Sequence, residues 1–336
     1  MSDQSSQSFR VAVLGAGAMG SFFAGSLFEG GADVTLIDLD VAHVESIRKH
    51  GLNLKTDAGE RRIHVPVLFP SEVNAVYDLV IVFTKAMHTK QALTALRSAI
   101  GPNTALLSLQ NGLDNKLVLT EFADPRNVLI GITTYPADIK GPGSVESHGR
   151  GVARLAAAGE PASPTLDLLP ELFARSGLNA VIDPHAEAAI WEKVAFNAAL
   201  NGLCAITGSA VGQIGAHTET RALAFQIVTE VCTTAIACGF AVERQHVEEM
   251  LADALAHHIH HKPSMLQDVI AGRTTEIEAI CGAVVRRADE RGVATPVTRT
   301  ILGLVRHIDW RAATARRSPD QPPGVIVQKA RLSAQH

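Results

Sequence analysis

In the first half of the chain, apolar residues fall into short unbroken runs separated by stretches of helical spacing. Residues 11–14 form one run, followed by Gly15-Ala-Gly-Ala-Met-Gly20 and a helical pattern to Leu27. Residues 33–38 form a second run, followed by a helical stretch over 41–50. Two further runs, 78–83 and 105–109, bracket apolar positions at helical spacing between Thr89 and Ile100. Continuous aliphatic strands alternating with helices predict an α/β fold, a parallel sheet covered on both faces. Residues 128–159, with Gly141, Gly143, Gly149 and Gly151, predict hairpin strands added at the sheet edge.

Near Pro184 the pattern changes. Helical spacing runs through 186–206, 218–238, 243–257, 263–270, 274–291 and 296–310 with no strand pattern between them. The chain is thus expected to divide into a sheet-bearing domain over 9–184, an all-helical domain over 185–317 and a peripheral tail over 318–336, where Pro319, Pro322 and Pro323 cluster.

Composition agrees with two packed domains. A chain of 336 residues with 46% hydrophobic and 19% charged residues is neither disordered nor fibrous. Lysine and arginine number 30 against 34 acidic residues, so no basic excess is present to neutralise nucleic-acid phosphates or an anionic membrane. Cys204, Cys232, Cys238 and Cys281 form no CxxC pair, which fits a reducing compartment better than a disulfide framework or a zinc site. Residues 1–8 lack the order of a signal peptide, and polar Gln226, Glu230, Thr233 and Thr234 interrupt the most apolar stretch, 222–242. A cytoplasmic protein without a membrane span is expected, and the apolar helical half raises the expectation of a homodimer.

The chemistry begins at Gly15-x-Gly17-x-x-Gly20, which includes Met19, follows a strand and opens a helix. Glycine at these positions permits a tight turn, close approach of a pyrophosphate and packing of helix on strand, with the phosphates on the helix N-terminus. Asp38 ends the second strand, where an acid accepts both ribose hydroxyls of NAD and repels the 2′-phosphate of NADP. The alternative is that Asp38 only caps the next helix. Arg48 and Lys49 keep NADP open, so NAD is the favoured cofactor.

In the second half, Lys193, Asn197 and Asn201 stand at i, i+4 and i+8 among apolar Val194, Ala198 and Leu200. On a helix they share one face, and an ammonium with two carboxamides in apolar surroundings needs partners. A solvated stripe accounts for the lysine more easily than for the two asparagines. A partly buried lysine has its pKa lowered towards neutrality and can act as a general acid.

These residues, with Thr84-Lys85, Leu109-Gln-Asn-Gly112, Trp191 ahead of the lysine, Ser264-Met-Leu-Gln-Asp268 and Gly272-Arg-x-Thr-Glu-Ile277, resemble the ketopantoate reductase (2-dehydropantoate 2-reductase) family over roughly residues 9 to 310. The resemblance implies a Rossmann domain followed by a helical domain, with the active site between them. It implies Lys193 as the acid that protonates the ketone oxygen, Asn197 and Asn201 as substrate-orienting amides, and Ser264 as the hydroxyl on the substrate carboxylate. It further implies Glu276 as the acid near the substrate's far hydroxyl and the lysine, and Lys85 and Asn111 as residues that touch cofactor and line the cleft.

Departures from the family pattern are also visible. Asp38-Leu39 stands where NADPH-using members carry arginine, Gly202-Leu-Cys-Ala-Ile-Thr207 replaces an Asn-Pro-Leu-Thr-Ala-like segment, and Cys281 replaces an asparagine. His257, His258, His260 and His261 precede the Ser264 block; His257 and His261 have metal-ligand spacing, but no carboxylate motif accompanies them, and no metal is expected. The expected activity is nicotinamide-dependent reduction of a ketopantoate-like 2-oxo acid. The alternatives are an NAD-linked D-2-hydroxyacid (mandelate-like) dehydrogenase of the same family, a 3-hydroxyacid dehydrogenase, and a non-catalytic NAD-binding regulator.

Overall fold

The computed structural model describes residues 9–316; the expected tail over 318–336 lies outside the described residues. The first half contains, in order, β1 (Arg10–Leu14), α1 (Ala18–Glu29), β2 (Asp33–Ile37), α2 (Val41–His50), β3 (Leu52–Thr56), β4 (Gly59–Ile63), β5 (Val67–Leu68) and β6 (Tyr77–Val82). It continues with α3 (Thr89–Ala95), β7 (Ile100–Ser108), α4 (Asn115–Leu119), β8 (Val128–Thr133), β9 (Asp138–Gly141), β10 (Ser144–Glu146), β11 (Ala153–Ala157), α5 (Thr165–Arg175) and β12 (Ala180–Ile182). The second half is helical: α6 (Ala186–Thr207), α7 (Val211–Ala216), α8 (Thr218–Ala237), α9 (Arg244–His257), α10 (Ser264–Ile270), α11 (Ala283–Arg291) and α12 (Pro296–Arg316).

The main sheet runs β12-β11-β8-β7-β6-β1-β2-β5. Strands β5, β2, β1, β6, β7 and β8 are parallel, and β11 turns antiparallel to β8. Alternation along β1 divides its side chains between two cores. Val11 and Val13 pack with Phe23 and Leu27 of α1, Leu52 and Leu54 of β3 and Phe173 of α5. Ala12 and Leu14 pack with Leu93 of α3 and Leu119 of α4. Burial on both faces explains why these strands read as unbroken apolar runs.

The expectation for residues 128–159 is corrected in part. Strand β8 is not an edge strand but lies between β7 and β11. The β9–β10 hairpin leaves the main sheet and pairs, through β10, with β3 in a separate sheet of order β4-β3-β10-β9. Residues 52–63 are amphipathic: Leu52 and Leu54 are buried while Lys55, Glu60 and Arg62 take the outer side, and such a hairpin gains from a second pair of strands. Its alternation is too short to stand out in the sequence.

The helical half surrounds α6, which packs on α8, α10, α12 and α9 and also touches β8 and β11. Gly202 lets α12 approach α6, since a Cβ there would lie 2.2 Å from Ile301 Cγ2. Many apolar residues of this half form an internal core, including Trp191, Leu200, Val231, Leu251 and Leu302, while Ile236, Ile270, Leu304 and Trp310 stay exposed. Buried Glu230 accepts the backbone N–H groups of Val297 and Thr298 at 3.0 and 2.8 Å, placing a carboxylate at the N-terminus of α12. Among the described residues no helix is long and apolar enough to cross a membrane.

The helical stretch expected over 274–291 begins later. Thr275 is held by Asp309, donating from its backbone N at 3.1 Å and from its hydroxyl at 2.8 Å, and a π-helical turn over Glu278–Gly282 leads into α11. The non-helical residues before that turn carry Glu276 to the face of the first half.

Candidate active site

Chain order reverses at β1, with β2 on one side and β6 on the other, so the carboxyl ends of β1 and β6 frame a crevice. Gly15 fills it with a backbone at φ +103°; a Cβ there would meet Thr84 N at 2.6 Å. A Cβ on Gly20 would lie 1.8 Å from the Gly15 carbonyl oxygen, so α1 can sit against the loop only with glycine there. Gly17 is different: a Cβ would meet nothing within 4 Å. Packing therefore does not require glycine at 17, whereas close approach of a pyrophosphate to the first turn of α1 does. The cradle fits a dinucleotide.

Asp38 does not cap α2. That position belongs to Asp40, whose side chain accepts from His43 N at 3.1 Å. The Asp38 carboxylate instead accepts the backbone N–H groups of Ala16, Leu39 (2.7 Å) and Asp40 (2.8 Å), and so ties the end of β2 to the glycine loop. The Ala16 carbonyl is held as well: Ser21 Oγ donates to it at 2.8 Å and lies 3.1 Å from His43 Nε2, while His43 Nδ1 accepts from Gly143 N at 3.0 Å. Burial lowers the His43 pKa below 6.5 against the opposing pull of Asp38 and Asp40. Beside this relay lies a recess of about 270 Å³ lined by Ala16, Gly17, Asp38, Asp40, His43, Ile139, Gly141 and Pro142, with no lysine or arginine among them. Arg48 is turned away, bonded to the Val67 carbonyl and Glu72 and lying over the Phe69 ring.

A cleft of about 1020 Å³ extends from the glycine loop into the space between the two halves. Lys193, Asn197 and Asn201 line it from one face of α6, as their spacing predicts, and Met19, Lys85, Asn111, Ser264 and Glu276 line it from elsewhere. Lys193 Nζ donates to the Thr133 carbonyl at 2.8 Å, at the carboxyl end of β8. Asn111 follows β7 on a turn that needs glycine at 112, where φ is +97° and a Cβ would lie 2.7 Å from the Ala279 carbonyl oxygen. Its side chain bridges the halves, hydrogen-bonding Glu276 and accepting from Asn197 Nδ2 at 3.5 Å. Glu276 Oε1 also accepts from Ala86 N at 2.9 Å. Asn201 is buried, and its Oδ1 has no hydrogen-bond partner among the described residues. Ser264 begins α10 without capping it and stays exposed to the cleft.

Burial governs the electrostatics. It pulls the Lys193 pKa down to about 8, with Glu276 opposing the shift. Burial pushes the Glu276 carboxyl up, countered by the Ala86 N–H and Lys85. The buried Cys281 thiol is raised to about 12 and is inert at neutral pH. Lys85 stands in the cleft wall, but its ammonium lies 2.5 Å from Asp268 Oδ2 and donates to the Thr274 carbonyl at 3.3 Å, joining the two halves. The four histidines form an exposed rim, and among the described residues no group of three or more metal-ligating side chains converges there.

The structure brings in residues that sequence reasoning missed. Gln110 Nε2 donates to the Thr84 carbonyl at 2.5 Å and to Thr89 Oγ1 at 2.7 Å, clamping the loop that carries Lys85. A buried polar residue beside Asn111 was its only signal. Thr133 acts through a backbone carbonyl, which leaves no trace in the sequence. Arg150 also lines the cleft, from between Gly149 and Gly151 in the stretch read as hairpin strands.

A dinucleotide cradle facing a buried lysine across an interdomain cleft defines a nicotinamide-dependent oxidoreductase. The family model described as "Ketopantoate reductase PanE/ApbA" matches residues 11–160, and its C-terminal counterpart matches residues 185–309. The 2-dehydropantoate 2-reductase of Streptococcus pyogenes serotype M6 is 31% identical over 296 residues, covering 88% of this chain and 96% of that protein. The Lactococcus lactis protein of the same name is 34% identical over 303 residues, with the same coverage. A D-mandelate dehydrogenase solved with NADH and anilino(oxo)acetate is 32% identical with a TM-score of 0.86, covering 90% of this chain and 99% of that one. The chain belongs to the ketopantoate reductase family and is an oxidoreductase acting on a CH–OH group.

Proposed function

We propose that the protein reduces a 2-oxo acid to the 2-hydroxy acid with NADH, and that Lys193 is the general acid. The observation that carries this reading is the Lys193 ammonium, buried in the cleft, held by the Thr133 carbonyl and brought close to neutrality by desolvation. When bound, the nicotinamide supplies hydride to the carbonyl carbon. Lys193 Nζ delivers the proton to the ketone oxygen and stabilises the negative charge that grows there. Asn111 and Asn197 orient the substrate through the amides that already meet across the cleft. Asn201 Oδ1 accepts from a substrate donor, which relieves its buried, unpartnered state. Ser264 takes the carboxylate, and Glu276 receives the substrate's far end and sets the field around the lysine.

Gly15, Gly17, Met19 and Gly20 hold the dinucleotide, with Asp38 on the ribose. A carboxylate offers about four lone-pair sites, and the Asp38 carboxylate accepts from the amides of Ala16, Leu39 and Asp40, so capacity remains for a ribose hydroxyl. The neighbouring Asp40 and the absence of lysine or arginine from that recess favour NAD over NADP. A second reading, a mandelate-like dehydrogenase, draws on the apolar part of the cleft: Phe196, Leu200, Val211, Ile259 and Pro263 suit an aryl or branched substituent. The structural relative solved with NADH and anilino(oxo)acetate supports it. A role as a non-catalytic regulator leaves the buried lysine without a use.

The test is a set of initial rates with NADH and with NADPH, each against ketopantoate and phenylglyoxylate. Preference for NADH with either acid is expected. NADPH-linked turnover of ketopantoate alone would overturn the Asp38 reading, and no turnover of any 2-oxo acid would overturn the activity.

A further inference from the structure

One loop beside the cleft is tied down at every residue but one. Ser147 N donates to the Lys55 carbonyl at 2.9 Å, and Ser147 Oγ to the Pro136 carbonyl at 2.6 Å. His148 stands between Asp57 and Glu146, with ring nitrogens 2.8 and 2.6 Å from their carboxylates. Gly149 N donates to Asp57 Oδ2 at 2.7 Å. Gly151 is wedged on Tyr135, where a Cβ would lie 2.5 Å from the ring. Val152 exchanges bonds with Thr134, receiving at its carbonyl from Thr134 N and donating to Thr134 Oγ1, both at 3.0 Å. The exception is the side chain of Arg150, which lines the cleft and has no hydrogen-bond or ion-pair partner among the described residues.

The other strong cations of the cleft are committed. Lys193 donates to the Thr133 carbonyl, and Lys85 is paired with Asp268. The cleft acids are engaged too: Glu276 with Ala86 N, and Asp138 with Gln267 Nε2 at 3.4 Å and, at 4.0 Å, with Lys140. Ser264, the hydroxyl expected on the substrate carboxylate, carries no charge. A carboxylate entering the cleft thus meets one uncommitted guanidinium, on a loop whose anchor at Thr134 adjoins the carbonyl that holds Lys193. A guanidinium offers two parallel N–H donors to a carboxylate, a stronger and more directional match than a hydroxyl.

We propose that Arg150 is a substrate-binding residue that grips the carboxylate of the 2-oxo acid, with Ser264 as its neutral companion, and that it makes the enzyme select a charged acid over its uncharged amide. The inference rests on the proposed 2-oxo acid activity. Arg150 is exposed, so its replacement removes no hydrogen bond or ion pair among the described residues.

The experiment compares the wild type with Arg150→Gln and Arg150→Lys, using NADH with phenylglyoxylate and with its uncharged amide, phenylglyoxamide. The expected result for Arg150→Gln is a KM for the acid raised on the order of 10- to 100-fold, little change in kcat or in the KM for NADH, and an acid-over-amide preference reduced by the same factor. Arg150→Lys should recover part of the loss. An unchanged KM for the acid, or an unchanged preference, overturns the proposal. Calorimetric titration of the NADH-loaded protein with anilino(oxo)acetate separates the two readings. Binding that weakens in Arg150→Gln while the wild type turns over no 2-oxo acid upholds the anion site and removes the activity; wild-type binding that the variant retains in full removes the anion site.

Discussion

Lys193 illustrates how a single side chain takes its chemistry from its surroundings. An ammonium leaving water loses solvation that one carbonyl acceptor restores only in part, so its pKa falls to about 8. Reduction needs the protonated form, so the rate of 2-oxo acid reduction should hold below that pH and decline as pH rises through about 8. Oxidation of the 2-hydroxy acid needs the free amine and should rise across the same interval. Lys193→Ala should lower kcat on the order of 10²-fold or more and leave NADH binding, read by fluorescence titration, largely intact. Unaltered turnover in that variant removes the lysine from the mechanism. At this scale the sequence was informative about Lys193, Asn197 and Asn201, because a helix repeats every 3.6 residues and the three positions fall on one face. It was silent about Thr133, since any residue offers the same carbonyl.

Among elements, the glycine loop depends on pieces distant in the chain. Asp38 holds the Ala16 amide, and Ser21, backed by His43 and Gly143, holds the Ala16 carbonyl, so β2, α1, α2 and the β9–β10 hairpin all fix one turn. His43→Leu leaves the buried Gly143 N–H without its acceptor and takes from the Ser21 hydroxyl one of its two partners, the Ala16 carbonyl remaining. A destabilisation of about 2 kcal/mol is expected in urea denaturation, with weaker NADH binding. The wild type should also lose stability as pH falls below 6.5, because burial holds the folded-state pKa of His43 under its ordinary value and the unfolded chain then takes up the proton. His43→Leu should flatten that part of the profile; a variant with unchanged pH dependence shows the relay contributes nothing to it. The strands of the main sheet were legible as apolar runs because both their faces are covered. The small sheet was not, because β3, β9 and β10 are short and bury few side chains each.

For the whole molecule, the cleft exists only where the two halves meet. Lys85 on the first half and Asp268 on the second form an ion pair in which the carboxylate is nearly buried, with Arg273 Nε as a second partner at 3.0 Å. Lys85→Met should cost about 1–2 kcal/mol, less than for a fully buried pair because Arg273 remains and Lys85 is partly exposed. A double-mutant cycle with Asp268→Asn should return a coupling of about 1 kcal/mol. If Lys85 acts on the cofactor instead, as the resemblance implied, Lys85→Met will weaken NADH binding while stability and the cycle show no coupling.

What the sequence determined by itself was local and periodic. It specified the alternating strands and helices of the first half, the glycine turn with an acid at the end of β2, and the polar face of α6, since each depends on residues close in the chain. Tertiary structure decided which of those groups are free to act. It committed Lys85 to Asp268, gave the cap of α2 to Asp40 and left Asp38 to the glycine loop, held Glu276 outside a helix so that it faces Asn111, and left Arg150 unpaired at the cleft. Partners separated by many residues meet only through packing, and the charge of a buried group is set by what it meets there.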